Sequence, residues 1–201
     1  MAHRSVVKVV PGKQERFRSA IHAYPEVIAT ADKMIKGAAL LNIPTIVTEQ
    51  NPKALGSTVS ELDLTTLSKQ CQPDWSPLSK TKFSMVLPQV VDSLNQWGTK
   101  SVVLFGIESH VCVLQTALDL LERDIDVHVL ADGVSSCNHG EVPIALDRLR
   151  QAGAQVTTSE SVLFQLMVDA SHPAFKQVSG LIKQTKQPTT DALDRLVVGK
   201  L

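Results

Sequence analysis

The feature that most constrains the fold of this chain is the apolar run 101–107, which lies between two segments of helical periodicity, 86–97 and 111–123. Strands that are buried on both faces read as continuous apolar runs, whereas half-exposed strands alternate between apolar and polar residues. A strand, a crossover helix and a second strand in succession are typical of a parallel sheet covered by helices. The sequence therefore predicts an α/β fold with three layers in the order α/β/α.

The same alternation continues along the rest of the chain. Further strands are predicted at 5–10, 43–47, 125–131 and 154–157, and further helices at 25–41, 142–152 and 162–168. Thr157 and Glu160 have the spacing of a capping box before the last of these helices. The polar stretch 51–79 contains at most a short helix at 58–62, and excursions of this length usually have a function. We expect a mostly parallel sheet of five or six strands.

The length of 201 residues corresponds to one domain. We expect one folded domain at 1–184, because the composition becomes polar after Gln184. Residues 185–201 are predicted to form a loosely held polar tail. Its apolar side chains could instead dock on a partner subunit; they are Leu193, Leu196, Val197 and Val198.

The balance of charges argues against a general nucleic-acid-binding protein. The chain has 20 basic and 20 acidic residues and is 4% aromatic, whereas nonspecific binding of DNA or RNA usually needs a basic excess and stacking side chains. No segment has the roughly 20 apolar residues that span a bilayer, and no secretory signal is evident. We therefore expect a soluble, cytoplasmic protein without nucleic-acid or membrane partners. The basic segment 1–13 faintly resembles a transit peptide, so a mitochondrial location is the alternative.

Ligands of open parallel sheets bind beyond the carboxyl ends of the strands, and the segment 106–112 follows the strand 101–107. It places Cys112 at the opening turn of a helix, where the helix dipole and free amides lower a thiol pKa and can hold an oxyanion. Two other interpretations stay open: Cys112 as a small buried hydrophobic residue, and a Cys–His pair with His110. Cys71, in the polar stretch, and Cys137, in the loop 135–138, are predicted to be incidental thiols. The three cysteines have neither disulfide-framework nor CxxC spacing, which agrees with a reducing compartment.

Several stretches of the chain, taken in order, resemble the isochorismatase-like cysteine hydrolase family, and in particular its isochorismatase-domain-containing subgroup. The resemblance covers about residues 5–184. The stretches that carry it are Thr48-Glu49-Gln50-Asn51-Pro52, Leu55-Gly56-Ser57-Thr58-Val59, Ser79-Lys80-Thr81-Lys82-Phe83-Ser84-Met85, Gly106 to Leu120, Asp132-Gly133-Val134-Ser135-Ser136 and Thr157-Thr158-Ser159-Glu160.

The resemblance implies a site built around Cys112 as the nucleophile, with Lys80 stabilising its thiolate and the developing charge. It also implies a cis peptide bond between Ile107 and Glu108, and an oxyanion hole formed by the backbone amides of Glu108 and Cys112. Metal-binding relatives carry an Asp-x-His pair and a further histidine. The histidines of this chain have no such spacing, so we expect no metal and no other cofactor.

The chain departs from the family pattern after the first predicted strand. Family members have an Asp there that takes the thiol proton and later returns it, and aligning Gln14–Phe17 with the family motif puts Gly12 at that place. Glycine cannot act as a base, so either the activity is lost, or Glu49, Glu15 or a water molecule is the surrogate. Gln50 is a further candidate substrate-site residue. The strand itself contains Lys8 and Pro11, which suggests that it pairs differently from the family's central strand or is partly disordered.

Two hypotheses of different classes follow. The first is a cysteine hydrolase of a small amide or related small-molecule substrate, impaired because Gly12 replaces the Asp. The second is a catalytically silent, oligomeric binding or scaffold member of the family. Some related sequences carry a ribonuclease label, but the zero net charge and the lack of a His/Lys/His arrangement give that reading no physical support. The resemblance also implies a homo-oligomer, a dimer or larger.

Overall fold

The computed structural model describes residues 6–11, 15–62, 64 and 76–198. The strands are β1 (Val6–Pro11), β2 (Thr45–Gln50), β3 (Leu78–Lys80), β4 (Ser101–Ile107), β5 (Asp126–Ser135) and β6 (Gln155–Thr157). They form one six-stranded sheet in the order β3-β2-β1-β4-β5-β6. Every neighbouring pair in this sheet is parallel, which confirms the predicted α/β class and strand number.

Helices connect the strands and cover the sheet. They are α1 (Tyr24–Leu40), α2 (Pro52–Leu55), α3 (Pro88–Gln96), α4 (Leu114–Leu121), α5 (Glu141–Gln151), α6 (Ser159–Met167), α7 (Phe175–Gln184) and α8 (Lys186–Leu196). A 3-10 turn, Glu15–Phe17, follows β1, and a π-helical turn, Ser109–Val113, leads from β4 into α4. None of the helices in the described ranges has both the length and the apolar character that crossing a bilayer requires.

Strand β4 is the centre of the fold, and all seven of its residues are buried. Side chains alternate across a strand, so Val103 and Phe105 pack on the face covered by α1, α6, α7 and α8. Val102 and Leu104 pack on the opposite face, against α3, α4 and α5. The two apolar clusters, one on each side of the sheet, confirm the predicted three-layer α/β/α arrangement.

Strand β1 occupies the central position that its sequence appeared to contradict. It pairs with β2 on one side and with β4 on the other, so the expectation that it pairs differently is wrong. The pairing with β4 runs only from Val6 to Val9. Pro11 is the last residue of the strand and is matched only with Thr48 of β2, so its missing N–H lies outside the doubly paired part of the ladder.

Two local predictions are displaced along the chain. In the described part of the polar stretch a short helix, α2, lies at Pro52–Leu55, and residues 58–62 are not helical. Helix α2 begins with a proline, which suits the first helical turn because that N–H has no helical partner. The cap of α6 is Thr158, whose hydroxyl accepts from the amide of Ser161 at 3.4 Å, and not Thr157. The cap is displaced by one residue, within the usual uncertainty of helix ends, whereas α2 begins six residues before the predicted helix.

The expectation of a loosely held tail after Gln184 is wrong for α8. Ala192 and Leu196 are 0% and 1% exposed and belong to the apolar cluster that contains α1. Lys33 of α1 donates a hydrogen bond from Nζ to Thr189 Oγ1 at 2.7 Å. The helix has a polar composition because it shows one narrow apolar stripe to the core, and Leu196 is covered within its own chain.

Candidate active site

The carboxyl ends of the central strands enclose a cavity of about 440 Å³. It lies beside the segments that follow β2 and β4 and beside the turn after β1, which is where an open parallel sheet binds ligands. Its lining is mainly apolar. The described residues that line it are Phe17, Gln50, Asn51, Ala54, Leu55, Phe83, Ile107, Glu108, Val111 and Cys112.

The end of β4 directs the chain toward this cavity. The pairing of β4 with β5 shifts register between Leu104 and Gly106, and Gly106 has φ of 130°, a conformation that favours glycine. The peptide bond between Ile107 and Glu108 is cis, as the family resemblance implied. The carbonyl of Glu108 then accepts hydrogen bonds from the amides of Val111 (3.2 Å) and Val113 (3.1 Å). These bonds hold the tight turn that carries Cys112.

Cys112 lines the cavity although only 8% of its surface is exposed. Burial raises the pKa of its thiol, while the positive charge of Lys80 and the backbone amide of Glu108 act in the opposite direction. The prediction that the helix terminus lowers this pKa below its ordinary value is therefore wrong. The thiol is removed from water, and desolvation disfavours the charged thiolate more than its neighbours favour it.

Lys80 ends β3 and faces the thiol. Its Nζ lies 3.8 Å from Cys112 Sγ and donates to Gln50 Oε1 at 2.5 Å. The same ammonium donates to the carbonyl oxygens of Lys82 (2.9 Å) and Phe83 (2.8 Å). Burial lowers the pKa of Lys80, and the nearby Cys112 opposes that shift. Lys82, two residues further along the chain, instead pairs with Asp119 at 2.9 Å.

The hydroxyl of Thr116 links the loop that follows Lys80 to the turn that carries Cys112. Thr116 of α4 donates a hydrogen bond from Oγ1 to the Cys112 carbonyl at 2.6 Å and accepts one from the Met85 amide at 2.9 Å. Both Thr116 and Met85 are completely buried. A buried hydrogen-bonded link is costly to break, so it fixes the loop that follows Lys80 against the turn that carries the thiol.

The candidate surrogate bases do not all reach the thiol. Glu49 Oε1 accepts from both the amide (2.6 Å) and the hydroxyl (2.7 Å) of Thr58, and Glu49 is not among the residues that line the cavity. Gln50 does line it, and binds Lys80. Gly12 and the side chain of Glu15 lie outside the described part of the structure. The structure thus brings together Cys112, Lys80 and Gln50, and leaves Glu49 holding a loop.

The side chain of Glu108 was missed by the sequence reasoning, which assigned a role only to its amide. Its Oε1 accepts from Cys137 Sγ at 3.2 Å, and its Oε2 lies 3.5 Å from His110 Nδ1. Burial and this hydrogen bond raise the pKa of Cys137 to about 11, so Cys137 remains a neutral donor. His110 Nδ1 lies 2.9 Å from Ser136 Oγ, so this ring atom is directed to Ser136 and Glu108. Its position could have indicated a role, because Glu108 directly follows the central strand β4, where ligands of a parallel sheet bind.

No group of histidine, cysteine and carboxylate side chains within the described ranges has the arrangement of a metal site. The chemistry that this cavity offers is that of a thiol beside an ammonium group, close to backbone amides and surrounded by apolar side chains. Such a set of groups can attack a carbonyl carbon and stabilise the resulting negative charge.

The Lys80 charge should control the reactivity of the thiol. We expect iodoacetamide to modify Cys112 at a rate that still rises as the pH passes above about 8.5, the ordinary thiol value, because burial raises the pKa of this group. Lys80→Met removes the opposing charge, raises the pKa further and should slow alkylation at pH 7.5 about tenfold, which corresponds to one pKa unit.

Lys80→Arg retains the positive charge and serves as the control for that measurement. Peptide mass spectrometry reports Cys112 separately from Cys137. Equal pH profiles for the wild type and Lys80→Met would show that the ammonium does not act on the thiol.

Comparison with known proteins gives a consistent match. Residues 6–161 match the model of the isochorismatase domain. Isochorismatase domain-containing protein 1 of Danio rerio is 48% identical over 171 residues, which cover 85% of this chain and 58% of that protein. The chain therefore spans less than two thirds of the length of this relative.

Solved structures show the same architecture. The MAR1 ribonuclease of Caenorhabditis elegans has a TM-score of 0.80 and 45% identity, with 89% of this chain and 90% of that chain covered. The YcaC gene product of Escherichia coli, an octameric hydrolase of unknown specificity, has a TM-score of 0.71 and 22% identity, with 94% and 90% covered. The second likeness shows the shared fold alone.

Proposed function

Because the chain belongs to the isochorismatase domain family, we propose that it is a cysteine hydrolase of a small amide or related substrate, with turnover impaired by Gly12. The observation that carries the proposal is the position of the Lys80 ammonium, 3.8 Å from the Cys112 sulfur beside a mainly apolar cavity. A buried lysine next to a thiol favours the thiolate, and the cavity is concave and of a size that suits a small molecule.

In the proposed reaction the Cys112 sulfur forms a bond to the carbonyl carbon, and the carbonyl oxygen becomes an oxyanion. The backbone amides of Glu108 and Cys112 are assigned to hold that oxygen, and Lys80 stabilises the negative charge as it moves. The carbon–nitrogen bond then breaks and the amine leaves with a proton. Water hydrolyses the thioester that remains, releasing the acid and the thiol.

The proton of the thiol is the difficulty in this chain. It must leave Cys112 before or during attack and must reach the departing amine, and the family position for that transfer is Gly12. Because burial raises the thiol pKa, few molecules hold the thiolate at neutral pH. Loss of one positioned proton-transfer group typically removes about 10²–10⁴ in rate, so we expect slow turnover.

The test is release of ammonia from a panel of small primary amides. We expect weak release by the wild type and none above the uncatalysed rate by Cys112→Ala. Cys137→Ala is the matched control, because it removes a thiol near the cavity that is not the proposed nucleophile. Equal rates for the wild type and Cys112→Ala on every amide would rule out the hydrolase.

The second candidate is a catalytically silent member of the family that acts as an oligomer. Gly12 favours it, because the assigned proton acceptor is replaced by a residue without a side chain. We also propose that the chain assembles with copies of itself, as the octameric Escherichia coli neighbour does. Light scattering that gives the mass of a monomer at micromolar concentration would contradict the assembly.

A further inference from the structure

The cavity has an uneven distribution of charge. Among the described residues that line it, Glu108 is the only ionisable one apart from Cys112 itself. Lys80 is not part of the lining, and its Nζ lies within hydrogen-bond distance of Gln50 Oε1 and of two carbonyl oxygens as well as 3.8 Å from the thiol. The surrounding side chains are mostly apolar, so little solvent screens the carboxylate from a molecule bound beside it.

The carboxylate of Glu108 is held in place by residues that do not line the cavity. Cys137 donates to Oε1 from its thiol and lies with its amide 3.5 Å from Oε2, and His110 Nδ1 lies 3.5 Å from Oε2. The side chain is 21% exposed. Its negative charge is also felt at the nucleophile, where it raises the pKa of Cys112. Glu108 thus lines the same cavity as the reacting sulfur, and Cys137 and His110 contact its carboxylate.

We propose that the Glu108 carboxylate makes this cavity selective for uncharged or cationic substrates and against substrates that carry a carboxylate. The inference deepens the proposed function, because it takes the cavity beside Cys112 as the substrate site. A second carboxylate in an apolar cavity meets a like charge, whereas an amide N–H or an ammonium group can donate to Glu108. The repulsion between Glu108 and a substrate carboxylate is the interaction that rejects anionic substrates.

The test uses the charge of two alkylating reagents of similar size. Iodoacetamide is neutral and iodoacetate is negative, and both react with the same thiolate. Their rates at Cys112 are measured at one pH by peptide mass spectrometry. The quantity compared is the rate with iodoacetamide divided by the rate with iodoacetate. Both rates are proportional to the fraction of thiolate, so a change in the pKa of Cys112 does not affect this ratio. We expect this ratio to be about tenfold larger than for a free cysteine peptide, because a partly desolvated like charge opposes iodoacetate.

Glu108→Gln should reduce the ratio to nearly that of the peptide, and Glu108→Asp, which keeps the charge, should retain most of it. Asp147→Asn is the matched control for net charge, because Asp147 lies on α5, pairs with Arg150 and does not line the cavity. A wild-type ratio equal to that of the peptide overturns the proposal even if the variants fail to fold. So does an unchanged ratio in folded Glu108→Gln.

Alkylation requires no turnover, so the result is separable from the hydrolase assay. Equal ammonia release by wild type and Cys112→Ala, together with a ratio that depends on Glu108, would reject the hydrolase and keep the selective cavity. Ammonia release that depends on Cys112, together with a ratio that is unchanged in Glu108→Gln, would support the hydrolase and reject the selective cavity.

Discussion

Gly12→Asp is expected to raise the rate of ammonia release by about 10²-fold or more. Gly12 directly follows Pro11, the last residue of the central strand β1, and the ends of the neighbouring strands β2 and β4 contribute Gln50 and Ile107 to the cavity. An Asp at this position would follow the family pattern and would supply the proton acceptor that we propose to be missing. The measurement is steady-state ammonia release from the best amide of the panel.

Two variants make this result specific. Gly12→Asn has nearly the shape of Asp without a basic carboxylate, and we expect it to stay at the wild-type rate. Cys112→Ala in the Gly12→Asp background should return to the uncatalysed rate, since the acceptor has no thiol to act on. If Gly12→Asp and Gly12→Asn release ammonia at the same rate, the assignment of the missing acid to position 12 is wrong.

Asp132→Ala is expected to destabilise the fold by about 3–5 kcal/mol, the usual cost of removing one member of a buried charged set. Asp132 is completely buried. Its Oδ1 accepts from the Ser159 amide at 2.8 Å, and its Oδ2 accepts from the Ser159 hydroxyl. Its charge also acts on buried Lys33, where it opposes the lowering of the pKa by burial. Without Asp132, the amide and the hydroxyl of Ser159 lose their acceptor, and the buried ammonium of Lys33 loses a compensating negative charge.

Urea unfolding of the wild type and two variants measures this effect. Ser159→Ala removes only the hydroxyl and leaves the bond from the amide, so we expect a loss of about 0.5–1.5 kcal/mol, that of one ordinary hydrogen bond. A loss for Asp132→Ala no larger than for Ser159→Ala would show that the carboxylate does not carry the wider network. The comparison is independent of the active site, because neither residue lines the cavity.

The hydrophobic periodicity of the sequence was sufficient to predict the three layers of the fold. The fully apolar pattern of 101–107 could belong only to an element covered on both faces, and β4 is buried along its whole length. The polar helix α8 was not predictable in the same way. Its few apolar positions, such as Ala192 and Leu196, form a stripe that gains its stability only by packing in the cluster with α1.

The candidate site was likewise predictable from the sequence only in part. A strand end followed by a tight turn and a cysteine pointed to Cys112 from local sequence, and the family resemblance pointed to Lys80. The direction in which the pKa of Cys112 shifts depended on burial. Burial is a property of the packed structure and cannot be read from the local sequence. The carboxylate of Glu108 became visible as part of the cavity only when its contacts with Cys137 and His110 were known.

The sequence by itself determined the class of the fold and the order of its main elements, and it pointed to Cys112 as the candidate thiol, because hydrophobic period and turn residues are local properties. Only the tertiary structure decided which charges meet at the cavity. It paired Glu49 with Thr58, directed Lys80 to Cys112, and placed Glu108 on the wall. Electrostatic energy depends on distances and desolvation across elements far apart in the chain, and those are set when the sheet and its loops assemble.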